Sequence, residues 1–136
     1  MDAPVQLKDG NALVEHLIAN PSGKGPSKMH LRFVIADNFN LGASLVNHDS
    51  LYAGYKIPFI LPGQSYVKIS GFVSRYYRRG IGSIALKQII ESAAKHSYGV
   101  YVEGSYNDGS RALCKKLGMR YDEQHTTFMI DPPAVV

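Results

Sequence analysis

Arg78-Arg79-Gly80-Ile81-Gly82-Ser83 is the stretch of this sequence with the clearest chemical capacity. Its two glycines carry no Cβ, so the backbone can lie close to a ligand. Residues 82–96 then follow a helical spacing, with Leu86, Ile89, Ile90, Ala93 and Ala94 on one apolar side. A helix that starts at the glycines presents four N–H groups without intrahelical partners. Those donors, the positive end of the helix dipole and the flanking arginines converge on one point, a suitable seat for a phosphate or pyrophosphate. A plain strand-to-helix turn with solubilising arginines uses the same residue types. The basic residues lie inside the turn rather than scattered, and this favours the anion site.

The neighbouring elements fix how such a turn would be held. Residues 65–73 (SYVKISGFV) read as a strand entering the turn, and residues 99–103 (GVYVE) as a short apolar strand after the helix. Strand, helix, strand at these lengths is a right-handed crossover between parallel neighbours. Residues 107–117 read as a second helix, opened by Asn107-Asp108 and stopped by Gly118. Residues 119–123 and 126–130 make a closing hairpin, and 131–136 a loose tail.

Upstream, residues 9–20 have a helical face of Leu13, Val14, Leu17 and Ile18, with Asp9 or Asn11 as cap. Residues 29–37 alternate as a strand, 38–42 read as a turn, and 43–46 as another strand. Residues 51–60 are extended, but Pro58 suits an edge or a bulge. The Gly23-Lys24-Gly25 run is no phosphate loop, because the required spacing and a preceding strand are both missing.

At 136 residues, with 45% hydrophobic and 19% charged residues, the chain reads as one soluble domain, 1–136. No apolar run reaches the roughly 18 residues of a membrane span, and the first ten residues lack the pattern of a secretory signal. Cys114 is the single cysteine, which excludes an internal disulfide and a cysteine-built zinc site and fits a cytoplasmic setting. A net charge of +4 favours an anionic ligand.

The segment Asn107-Asp108-Gly109-Ser110-Arg111-Ala112-Leu113-Cys114-Lys115-Lys116-Leu117-Gly118-Met119 resembles the N-x-x-A-x-x-L-Y-x-K-L-G-F signature of the GCN5-related N-acetyltransferases (GNAT). Tyr77-Arg78-Arg79-Gly80-Ile81-Gly82 is similar to that family's Q/R-x-x-G-x-G/A motif, at the family's usual separation. The resemblance covers about the C-terminal half of the chain. It implies an α+β fold in α/β/α layers, whose mixed, mostly antiparallel sheet is opened into a V-shaped cofactor cleft by one parallel strand pair. It implies acetyl-CoA as cofactor and transfer of the acetyl group, by direct attack, to an amine of a small molecule or protein. Backbone at Phe72 and Val73 would hold the pantetheine arm. N–H groups of Arg78, Arg79, Gly80, Ile81, Gly82 and Ser83 would hold the pyrophosphate, and Asn107 would touch the cofactor arm.

The departures concern the chemistry. Tyr77 stands where the family has Gln or Arg, and the segment before the glycines is one residue shorter. Cys114 takes the place of the tyrosine that, in many members, protonates the departing thiolate. A thiol could serve as that acid, but a small buried hydrophobe on the helix face weighs more heavily. The strand that often carries a glutamate base reads Lys68-Ile69-Ser70-Gly71, without a carboxylate, and leaves Glu103 as the candidate base by topology. These departures keep a second function open: a CoA-binding regulator with a protein partner, monomeric or homodimeric. A third, nucleic-acid binding through Arg75-Tyr76-Tyr77-Arg78-Arg79, ranks lower because the charge is modest and the turn already uses those residues.

Overall fold

Alternation of apolar and polar side chains builds a sheet with two unlike faces. The computed structural model describes residues 5–19, 31–35, 39–47, 61, 63–74, 81–103, 108–124 and 126–133. The strands are β1 (Val5–Leu7), β2 (Leu31–Ile35), β3 (Phe39–Asn47), β4 (Ser65–Ser74), β5 (Gly99–Glu103), β6 (Arg120–Asp122) and β7 (Thr127–Ile130). They lie in the order β1-β2-β3-β4-β5-β7-β6. β1 runs parallel to β2 and β4 parallel to β5, while every other neighbouring pair is antiparallel.

One face is an unbroken apolar stripe. Phe33 pairs with Leu41, Ala43 with Ile69, Leu45 with Val67, Ile69 with Val102, and Val102 with Phe128. The helices are α1 (Gly10–Ala19), α2 (Ile81–Lys95) and α3 (Asp108–Lys116). Leu13, Val14 and Leu17 of α1, Leu86 and Ile89 of α2, and Cys114 of α3 join the stripe in one core cluster. Full burial of a side chain such as Leu86 contributes about 2 kcal/mol, so this face supplies most of the driving force. The opposite face has its own small cluster of Tyr66, Tyr101 and Met129, with Ser44, Lys68 and Thr127 also buried.

The expected α+β class, its mixed and mostly antiparallel sheet and the parallel β4/β5 pair are all present. Two features go beyond expectation. The buried apolar residues of the three described helices join the cluster on one sheet face, where an α/β/α layering would divide them between two; parallel crossovers running in one direction along a sheet require this. A second parallel pair, β1/β2, also exists; β1 has three residues, too few for alternation to register in the sequence. Residues 39–42, read as a turn, belong to β3 instead: Leu41 is buried between the neighbouring strands, and pairing on both sides overrides the turn-forming asparagine and glycine. The extended reading of residues 51–60 lies outside the described residues.

α1 is capped by Asp9, whose Oδ1 accepts a 2.9 Å bond from the Ala12 N–H. It then packs closely on α2. The Gly10 N–H donates to Oε1 of Gln88 at 2.8 Å, and a Cβ on Gly10 would stand 2.5 Å from the Ala85 carbonyl oxygen. α3 ends in a left-handed residue, Gly118 (φ 81°), with the Met119 N–H bonded to the Cys114 carbonyl.

Candidate functional site

β4 and β5 part company halfway along β4. Their pairing runs from Tyr66↔Gly99 to Ile69↔Val102 and, among the described residues, ends there. β4 continues for five more residues, Ser70 to Ser74, alongside β3 alone. Within that extension the register shifts: Ser70 faces Gly42 and Val73 faces Asn40. Gly71 and Phe72 therefore stand opposite the single residue Leu41, which is a β-bulge on β4. A bulge bends its strand and takes a residue out of the ladder. Among the described residues the β4 backbone beyond Ile69 therefore has no ladder partner on its β5 side.

The chain leaves β4 at Ser74 and begins α2 at Ile81, so the helix starts at the end of β4 where its pairing with β5 has ceased. Gly82 and Ser83 lie in its first turn, half-buried. No acidic residue sits in that turn, so the helix's own side chains leave its positive end unneutralised. Arg78, Arg79, Gly80 and Asn107 fall outside the described residues. Phe72 and Val73 are in β4, at and beside the bulge.

The face away from the helices bears the polar groups. Ser44, Lys68, Tyr101 and Met129 are successive partners across four strands, and all four are buried. Lys68 reaches diagonally past Tyr101, and its Nζ lies 3.0 Å from Oε2 of Glu103. The Lys68 side chain is 4% exposed, the Glu103 side chain 47%. Glu103 is thus an accessible carboxylate at the last residue of β5, one position past the final β4/β5 pair. A buried ammonium is tolerable only with such a partner. At the far end of β4, the Tyr66 hydroxyl accepts a 3.1 Å bond from the Leu61 N–H and donates to Asp131 at 2.8 Å. Burial pushes the Tyr66 hydroxyl up from its ordinary pKa of 10.0 to about 12, with the Leu61 bond opposing and the Asp131 carboxylate adding to the rise.

Cys114, weighed as an acid, is fully buried in the helix-side core. It belongs to the cluster on the sheet face opposite the one that carries Glu103. Among the described residues no three metal-ligating side chains gather, and no helix is long and apolar enough to cross a membrane. Two structural features here have only faint sequence signals, the Lys68–Glu103 pair and the bulge at Gly71. In the sequence Lys68 marks only the lack of a carboxylate, although a lysine amid a buried strand pattern needs a partner. Gly71 inside a strand is the usual mark of a bulge.

No protein-family model and no curated protein sequence matches the chain. Solved structures do. A structure of AtaTR bound with AcCoA superposes with a TM-score of 0.50 at 14% identity, covering 87% of this chain and 77% of that one. The Bacillus subtilis N-acetyltransferase YlbP in complex with coenzyme A gives 0.48 at 15% identity (88% and 76% covered). The Y145F mutant of KacT gives 0.46 at 19% identity (87% and 78% covered). The chain has the fold of the GCN5-related N-acetyltransferases.

Proposed function

We propose that the protein is an acetyl-CoA-dependent N-acetyltransferase. The observation that carries this reading is the parting of β4 from β5 at Ile69–Val102, with a bulge at Gly71–Phe72 and a helix start at the same end. Strand backbone beyond that point supplies hydrogen-bonding groups to an amide-rich arm such as pantetheine, and the first turn of α2 supplies N–H donors to a pyrophosphate. Arg78, Arg79, Gly80 and Asn107 are assigned to the same ligand from the sequence motifs. The comparison structure of AtaTR holds AcCoA.

In the proposed reaction an amine attacks the thioester carbonyl. The C–N bond forms, the C–S bond breaks and coenzyme A leaves as thiolate. Backbone N–H groups at the bulge polarise the carbonyl. Glu103 accepts the proton that the amine loses, directly or through one water. The proton reaches the leaving thiolate from solvent, because Cys114 is enclosed in the core. The test is incubation with acetyl-CoA and a panel of amines and peptides, following thiol release. Release with at least one amine is expected.

The burial of Cys114 favours one second reading: a protein that binds CoA and a protein partner but turns over little. Native mass spectrometry separates the two. A co-purifying CoA species, with no thiol release across a broad amine panel, would select the second.

A further inference from the structure

The sheet face opposite the helices carries an ion pair that the transferase reading does not by itself require. Lys68 lies on β4 between two buried cross-strand partners, Ser44 and Tyr101, and its side chain is almost wholly enclosed. Its ammonium lies 3.0 Å from Oε2 of Glu103. Glu103 is the terminal residue of β5, half exposed, with a long side chain of its own. An exposed glutamate ordinarily samples several rotamers, and a lone surface ion pair does little to stop it. Here one partner is enclosed: the Lys68 side chain is 4% exposed, and close packing leaves such a side chain few rotamers, so the pair constrains Glu103 rather than both ends wandering together.

From this geometry we infer that Lys68 is a positioning residue, which holds the Glu103 carboxylate where β4 and β5 part for proton abstraction from the acceptor amine. The inference rests on the transferase reading. Lys68 touches no reacting atom; it acts through Glu103. It also explains how a strand with a lysine where a carboxylate base is wanted can serve the reaction: β4 supplies the anchor and β5 the base.

The experiment is a double-mutant cycle read in steady-state kinetics with acetyl-CoA and an amine the wild type accepts. Glu103→Gln is expected to lower kcat on the order of 100-fold, the usual scale of a general base. Lys68→Met is expected to lower it about tenfold, the scale of a displaced catalytic group, with KM for acetyl-CoA unchanged. The double variant should be no slower than Glu103→Gln alone. Methionine matches the lysine stem in shape, and the carboxylate left behind can be solvated, so the fold survives; thermal melting checks this. Lys68→Arg keeps a cation on the strand and should lose less than Lys68→Met. Multiplying effects in the double variant, or equal losses for Lys68→Arg and Lys68→Met, overturn the positioning role alone. Absence of turnover in the wild type with every amine overturns the transferase reading and this role with it.

Discussion

The Tyr66 hydroxyl donates a 2.8 Å hydrogen bond to Oδ1 of Asp131 and so ties the start of β4 to the residue after β7. Arg120 on β6 closes the set, with Nη2 3.1 Å from Oδ2 of the same carboxylate. The ring of Tyr66 is fully buried and meets Tyr101 edge-on at 6.2 Å.

Tyr66 therefore gives the protein a marked alkaline sensitivity. Its folded-state pKa of about 12 lies above the ordinary 10.0, so its contribution is complete below the ordinary value and is lost as pH rises through the raised one. Denaturant melts of wild type and Tyr66→Phe should differ by about 1 kcal/mol near neutrality, the worth of the hydroxyl bonds. The wild type should lose stability relative to Tyr66→Phe between about pH 10 and 12. Parallel curves across that window would contradict the assignment.

Gly10 is set by the contact between α1 and α2. A methyl group there would press on the Ala85 carbonyl oxygen at 2.5 Å and on Gln88 Cβ at 2.8 Å. Gly10→Ala is expected to destabilise the protein by about 2 kcal/mol, as overpacking of a close backbone contact does. The urea midpoint should fall with the slope unchanged.

The two helix ends at Ser97 and Gly118 should respond oppositely. Both residues are left-handed, at φ 63° and 81°, and both precede an amide bonded back to the last helical turn: Tyr98 N–H to the Ala93 carbonyl and Met119 N–H to the Cys114 carbonyl. Serine bears a steric cost there that glycine does not. Ser97→Gly should raise stability by about 1 kcal/mol, and Gly118→Ala should lower it by about as much. Differential scanning calorimetry on the pair checks both signs.

Gly82→Glu tests the cofactor cleft. A carboxylate in the first turn of α2 suits the helix dipole, so the fold should persist. The same charge and its side chain would oppose a pyrophosphate at the N–H groups, and CoA affinity should drop on the order of 100-fold or more. Isothermal titration with CoA gives the value. Unchanged affinity in a folded variant would move the pyrophosphate elsewhere.

Much of this protein was legible without coordinates because its signals are local. The helical spacing around Leu86 and Ile89 gave α2 to within a residue at each end, GVYVE gave β5 as Gly99–Glu103, and Asp9, one of the two candidate caps, caps the first helix. The parallel β4/β5 pair followed from chain order, since a strand, helix and strand of these lengths have one favoured connection. The glycine turn and the Asn107–Met119 signature pointed to the GNAT fold, which the tertiary comparison bears out. Non-local facts could not be read in this way. Cys114 could be an acid or a core residue on sequence alone, because exposure depends on which helix face the sheet covers. Residues 39–42 look like a turn until two neighbouring strands pair with them. Lys68 and Glu103 are 35 positions apart in sequence (103 minus 68), and only the diagonal between adjacent parallel strands brings their charges to 3.0 Å. Sequence determined the helices and the longer strands, β1 and the first half of β3 excepted, since side-chain periodicity and backbone freedom act over a few residues. Tertiary structure decided the bulge, the point where β4 and β5 cease to pair and the partner of the carboxylate, since strand register and burial are set by residues far apart in the chain.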